Sequence, residues 1–431
     1  MTTLAQNQGV DPVSLIPTRI KVYVFVFCFL ALMIDAADMM FLSYSLNSLQ
    51  AEFGLTQTQK GWLGTFTLLG MFFGGVAGGW ACDRFGRVKT IVVCIIIFSV
   101  GTAALGFTHS YIQFATIRFL SAIGIGAIYL SCSILMSEYV TKKYRSTIMA
   151  TLIISWSIGY IIASLLAKWI IPEWGWRYLF FTAIIPVFLS VIMFFLVPEP
   201  PSWIANRKAK TDKQATDAID VAQGKTVTQS DSSLKTVVTT KGVLLVFISW
   251  MFVNTFFQFS YYGVMNWMPS YLESELHVNF KSMTGYMIGT FIAMMLGKVF
   301  GGFLADKLGR RAVYALGSIG TAIFIPLIVW YNTQDNIIWL MCGFGFLFGV
   351  PISVMGTYMT ESFPGKVRGF AMGWAYNAGR IGGILAPVTI GFLAEHFTIG
   401  FGFLGVGIAL CLMGLVPAIL IKSGLYDPSK E

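Results

Sequence analysis

The chain alternates long apolar runs with short polar breaks, and the runs are the length of bilayer crossings. A membrane helix needs about 20 mostly apolar residues. A window of that width predicts twelve spans, at 22–47, 61–82, 90–107, 112–137, 148–170, 178–197, 243–271, 283–304, 312–331, 336–361, 369–394 and 400–421. The pattern breaks between Pro198 and Lys241, where Lys, Thr, Asp, Gln and Ser replace large apolar residues, as in a solvated linker. The expected organisation is a tail at 1–21, a six-helix half at 22–197, a linker at 198–241, a second six-helix half at 242–421 and a tail at 422–431.

Composition agrees with this pattern: 56% of the 431 residues are hydrophobic and 11% are charged. Soluble domains carry roughly 25% charged residues. The fold class expected is an all-α polytopic membrane protein. Arg19 and Lys21 precede a first run too long for a signal-peptide core, so that run is expected to stay as the first span. The formal net charge of +9 does not indicate nucleic acid, because the basic residues are scattered through short loops instead of forming one face. With the N-terminus cytoplasmic, 22 of the 29 Lys and Arg residues fall on the inner side and four on the outer side. The positive-inside rule then places both termini in the cytoplasm. The six cysteines have neither metal-ligand spacing nor a secreted-domain framework, and no metal or other cofactor is expected.

The two halves share a repeat at one offset. Gly79-x-x-x-Asp83-Arg84-Phe85-Gly86-Arg87 returns as Gly302-x-x-x-Asp306-Lys307-Leu308-Gly309-Arg310, and Glu138 with Arg145 returns as Glu361 with Arg368, each 223 residues on. The glycines permit tight turns, and the charges suit bridges between neighbouring helix ends. Asp83, Arg84, Gly86, Arg87, Glu138, Arg145, Asp306, Gly309, Arg310, Glu361 and Arg368 are therefore expected to gate one face.

Five charges deep in the spans are not repeated at this offset: Asp35, Asp38, Arg118, Lys298 and Arg380. Ionisable groups inside membrane helices face a bundle interior and usually mark an ion or substrate path. Counted from the span ends, Asp38 and Arg118 lie roughly 13 and 9 Å deep at 1.5 Å per residue, so their side chains can meet. An arginine favours the charged carboxylate and burial the neutral one, which is the opposition a proton switch needs. Arg380, about 18 Å from the inner face, needs an anion, and a substrate carboxylate meets that need by a two-pronged contact. Lys298 is a second candidate anion contact. Asn254, Gln258 and Tyr262 recur at i, i+4 and i+8 on one face of span 7, beside Tyr261; Trp156, Tyr160, Trp374 and Asn377 add rings and an amide that suit a planar acid.

The two Gly-x-x-x-Asp-[Arg/Lys]-x-Gly-Arg loops, the six-plus-six spans and the central linker resemble the major facilitator superfamily. Within it, Asp35-Ala-Ala-Asp38, Arg118-Phe-Leu-x-x-x-Gly124-x-Gly126, Glu138-Tyr139 and Gly-Trp176-Arg177 resemble the aromatic acid:proton symporters, although Ala36 and Ala37 depart from that family's usual Asp-Gly-aromatic-Asp. The resemblance implies alternating access between pseudo-symmetric halves with one site near the midplane. It also adds weight to Asp38 with Arg118, since proton-coupled sugar carriers of the superfamily show an acid–arginine pair at matching places.

The expectation is a monomeric carrier in a bacterial inner membrane that takes up a small organic acid, an aromatic acid or a muconate-like dicarboxylate, with protons. Asp35, Asp38 and Arg118 would couple protons, and Arg380 would anchor the anion. Proton-driven drug efflux and a non-transporting acid sensor are the rival readings. No nucleophile–base constellation suggests an enzyme.

Overall fold

The computed structural model describes residues 16–141, 145–205, 207, 242–333, 335–422 and 425–426. The larger part of the expected linker and both extreme termini lie outside the described residues. Among the described residues the protein is all-helical, with twelve helices long and apolar enough to cross a membrane. They are α1 (Thr18–Phe53), α2 (Gln57–Phe85), α3 (Arg87–Leu105), α4 (Tyr111–Tyr139), α5 (Arg145–Trp174) and α6 (Trp176–Leu196). The second set is α7 (Val243–Ser274), α8 (Phe280–Leu308), α9 (Arg310–Trp330), α10 (Ile337–Thr360), α11 (Gly365–His396) and α12 (Ile399–Leu420).

Local chemistry sets the helix ends. α1 runs six residues beyond its expected apolar end because Ser48 to Phe53 continue the helix, and it stops at Gly54, whose φ of 65° is the left-handed cap that glycine accepts without strain. α2 starts three residues later, at Gln57, behind a capping box of Thr56 and Gln59. α6 has one turn of 3₁₀ helix at Thr182–Ile184, just before Pro186. In both repeated loops a glycine with positive φ, Gly86 at 119° and Gly309 at 85°, turns the chain directly from one helix into the next.

Small residues allow the helices to pack closely. A Cβ on Gly126 of α4 would run into the backbone of Met71 on α2, and one on Gly349 of α10 into that of Met294 on α8. These contacts join matching helices in the two halves. Where lipid supplies no hydrophobic drive between helices, this close backbone approach is the main source of attraction. α11 lies against α7 within its half and against α2 of the other half, and α5 lies against α8 across the bundle.

One end of the bundle holds the two repeated loops and is called here the motif end; the other is the far end. Several contacts between the halves sit toward the far end. Ser43 donates to the Met265 carbonyl at 2.7 Å, Thr65 to the Ile384 carbonyl at 2.7 Å, and the Thr58 N–H to Glu395 at 3.0 Å.

Candidate functional site

α1 carries Asp35 and Asp38 into the bundle, where they are 4% and 2% exposed. α4 brings Arg118, fully buried, to meet Asp38: Nη1 lies 2.8 Å from Oδ2. The same guanidinium donates from Nε to Thr67 Oγ1 at 3.0 Å, tying α2 to the pair. Asp38 keeps its other oxygen, Oδ1, without a hydrogen bond, and Asp35 Oδ1 is likewise unpaired. Asp35 makes no ion pair among the described residues and lies within the electrostatic reach of Asp38, Arg118 and Arg380. Burying an unpaired charge is costly, and of the two acids it is Asp35 that lacks an ion-pair partner among the described residues.

α11 supplies Arg380, half-buried, its Nη2 against Gly75 of α2, where a Cβ would lie 3.2 Å away. The guanidinium has no hydrogen-bond or ion-pair partner among the described residues. Its electrostatic neighbours are Asp35, Tyr262 and Tyr376. Lys298 sits on α8 and reaches across the bundle to donate to Ser157 Oγ of α5 at 3.1 Å. Two cations thus enter from different helices of the C-terminal half, each against a helix of the N-terminal half.

The polar stripe of α7 divides into structural and available groups. Gln258 donates to the Tyr376 carbonyl of α11 at 2.9 Å, and Asn254 donates to the Trp250 carbonyl of its own helix at 2.8 Å, leaving Oδ1 unpaired. Tyr261 and Tyr160 join hydroxyl to hydroxyl across the halves at 2.5 Å. Trp156 packs on Tyr129, its ring centroid 5.2 Å away, with Nε1 unpaired, and Tyr129 in turn approaches Tyr376. Trp374 is exposed and lies about 120° round α11 from Arg380 at 3.6 residues per turn. Asn377 is exposed and bonds back to Gly373. Of the sequence-selected residues on α11, Trp374 lies on a different side of the helix from Arg380, whereas Asn377 lies one turn before Arg380 and about 60° round the helix.

At the motif end each half builds the same cluster. Arg87 lies 3.5 Å from Asp83 and 3.3 Å from Glu138, and Arg310 lies 3.2 Å from Asp306 and 3.1 Å from Glu361. Both arginines also donate to the carbonyl before the aspartate, at Cys82 and Ala305. Arg84 lies over the rings of Trp80 and Phe85 and forms no ion pair among the described residues. Arg368 donates to the Thr360 and Phe363 carbonyls, and the Arg145 side chain lies outside the described residues.

Four residues that sequence reasoning passed over hold key positions. Lys60, counted as an outer loop charge, is fully buried at the far end. Its Nζ donates to Asn47 at 2.8 Å, Gln50 at 3.0 Å and, across the halves, Ser270 at 2.8 Å, and it lies 5.4 Å from the centre of the Trp267 ring. Glu199 accepts the first three backbone N–H groups of α3, from Arg87, Val88 and Lys89. Thr67 holds Arg118, and Asn266 continues the Asn254, Gln258, Tyr262 spacing by one further turn. That spacing was the one sequence signal available for Asn266; nothing local marks the other three.

Twelve spanning helices around a charged, mid-depth site define a multi-pass membrane carrier of small molecules. A family model for the Major Facilitator Superfamily matches residues 28–297 and 282–430, and the chain belongs to that superfamily. It is 53% identical over 407 residues to the cis,cis-muconate transport protein of Acinetobacter baylyi, covering 94% of this chain and 96% of that one. It is 26% identical over 450 residues to the benzoate transport protein of the same organism, covering 98% and 94%. Among solved structures, a D-xylose-proton symporter superposes with a TM-score of 0.76 at 19% identity, covering 94% of this chain and 98% of that one, a likeness of fold.

Proposed function

We propose that this carrier takes up a small conjugated dicarboxylate of the cis,cis-muconate type together with protons, by alternating access. The observation that carries the reading is the Arg380 guanidinium, set deep in the bundle beside Tyr262 and Tyr376 without an anionic partner. The similarity to a muconate transport protein supports the choice of acid. Arg380 binds one carboxylate, and Lys298 supplies a second positive charge that favours a dianion. Trp156, Tyr160, Asn254, Gln258, Tyr261 and Tyr262 form the surrounding wall, with Trp374 and Asn377 at its margin.

Asp38 takes up a proton and releases Arg118, and Asp35 acts as the second proton site beside Arg380. The two motif-end clusters hold their face of the bundle in one state and part in the other. The protein works as a monomer in a bacterial inner membrane, with both termini and the 198–241 linker in the cytoplasm.

Uptake of radiolabelled cis,cis-muconate into proteoliposomes with an inside-alkaline gradient tests the reading. Wild type is expected to accumulate the diacid, and a protonophore to abolish accumulation. Asp38→Asn removes gradient-driven accumulation. Arg380→Ala raises KM by roughly 100-fold, the loss of a two-pronged charge-assisted contact. Full accumulation by Asp38→Asn would refute the proton assignment, and no uptake of muconate or benzoate by wild type would refute the function.

A further inference from the structure

The Arg380 guanidinium has a defined seat. A Cβ on Gly75 of α2 would lie 3.2 Å from Arg380 Nη2 and 3.3 Å from the Gly126 carbonyl of α4. The guanidinium therefore rests where α2, α4 and α11 meet. A helical side chain leans toward the start of its own helix. Because α11 starts at the motif end, Arg380 leans over Tyr376, one turn before it on the same face. Tyr129 follows Gly126 by one turn of α4 and also lies on the motif-end side of the seat. The two tyrosines are thus displaced in the same direction, by about 4.5 Å along α4 and about 6 Å along α11.

Their rings meet across the halves. The Tyr129 and Tyr376 centroids are 6.4 Å apart with the planes 33° from parallel, and both residues are half-buried. Trp156 of α5 backs Tyr129 more closely, at 5.2 Å. The tyrosine pair is near the loose limit of about 7 Å for packed rings. A flat conjugated chain between two rings needs about the same spacing, two carbon contacts of about 3.5 Å each. A small shift of one half against the other provides it.

Resting on the reading of this protein as a carrier of conjugated acids, we propose that Tyr129 and Tyr376 form a slot for the chain of an acid held on Arg380. The slot selects a planar unsaturated acid over a saturated one of the same charge and length. The charge contact with Arg380 is open to any carboxylate, whereas contact with a ring on each side is open to a flat chain. A saturated chain carries hydrogens above and below its carbon plane, so it is thicker and holds the rings apart. Because one ring belongs to each half, that thickness opposes the approach of α4 to α11 as the halves close.

The test uses the full chain in proteoliposomes, with radiolabelled cis,cis-muconate as substrate and unlabelled adipate, the saturated six-carbon diacid, as competitor. Wild type is expected to show an adipate inhibition constant about tenfold or more above its muconate KM. In Tyr129→Leu the muconate KM is expected to rise about three- to tenfold, the loss of one ring contact, while the adipate inhibition constant moves less than about twofold. Tyr129→Phe, which keeps the ring, is expected to stay within about twofold of wild type for both acids. Tyr376→Leu examines the opposite wall with the same expectation, so a folding failure in one leucine variant leaves the other to decide. An equal rise for muconate and adipate in the leucine variants would overturn the inference, since the rings would then only pack the helices. An unchanged muconate KM in them would overturn it too. Wild type that carries muconate but binds adipate equally well would overturn the slot and leave muconate transport established. If wild type takes up neither muconate nor benzoate, the functional reading fails and this inference falls with it.

Discussion

Arg118 keeps a full charge inside the bundle because each of its donor groups has an oxygen within reach, from Asp38 or Thr67. Removing one member of such a pair strands the other, at a cost of about 3–5 kcal/mol, whereas replacing both by apolar residues is often neutral. Arg118→Met alone is therefore expected to lower the thermal unfolding midpoint in detergent, and Asp38→Leu combined with Arg118→Met to recover most of it. The double variant is expected to fold and to lose proton-driven accumulation. Retained accumulation would mean that the pair only orders α1, α2 and α4. At this scale the sequence spoke clearly for Asp38, Arg118 and Arg380, because charge in a hydrocarbon run is rare and costly. It did not reveal Lys60 or Asn266. Lys60 sits at a helix start that resembles a solvated loop, and Asn266 is marked only by continuing the spacing of Asn254, Gln258 and Tyr262.

Helices α1, α2 and α7 are fastened at the far end by Lys60. Its three oxygen acceptors come from both halves, so opening this end separates the ammonium from Ser270 and exposes the Trp267 ring. Hydrogen bonds to a charged group contribute about 1.5–3 kcal/mol each, enough to shift an open–closed population by tenfold or more. Lys60→Met is expected to speed maleimide labelling of a cysteine placed at Ser43, which is 3% exposed in the closed arrangement. An unchanged labelling rate would show that the latch does not hold this end. Element positions were legible from apolar run length, and the middle of every span was found. The ends were less so, because continuations such as Ser48 to Phe53 stay helical until a cap stops them.

Over the whole molecule the repeat survives in three dimensions. Cys82, Asp83, Arg87 and Glu138 make the contacts that Ala305, Asp306, Arg310 and Glu361 make 223 residues later. The offset could be read from the residues alone because these loops repeat both residue type and spacing. The contacts of Glu138 with Arg87 and of Glu361 with Arg310 could not, because the fold brings those arginines in from the preceding helix pair. The deep charges obey no such repeat, and the asymmetry is where a single site between two like halves has to be built.

The proposed proton sites on α1 also carry a consequence for how this carrier would respond to membrane voltage. On the proposed roles, Asp35 and Asp38 would take one proton each against the two negative charges of a diacid, so that a cycle filling both positions would move no net charge. Muconate accumulation is then expected to follow the pH gradient and to be unaffected by a potassium diffusion potential imposed with valinomycin. A third proton would make each cycle worth about 2.3 kcal/mol more per 100 mV, roughly a 50-fold gain in accumulation. A cell whose pH gradient collapses would lose its supply of the diacid even while its membrane remained fully polarised.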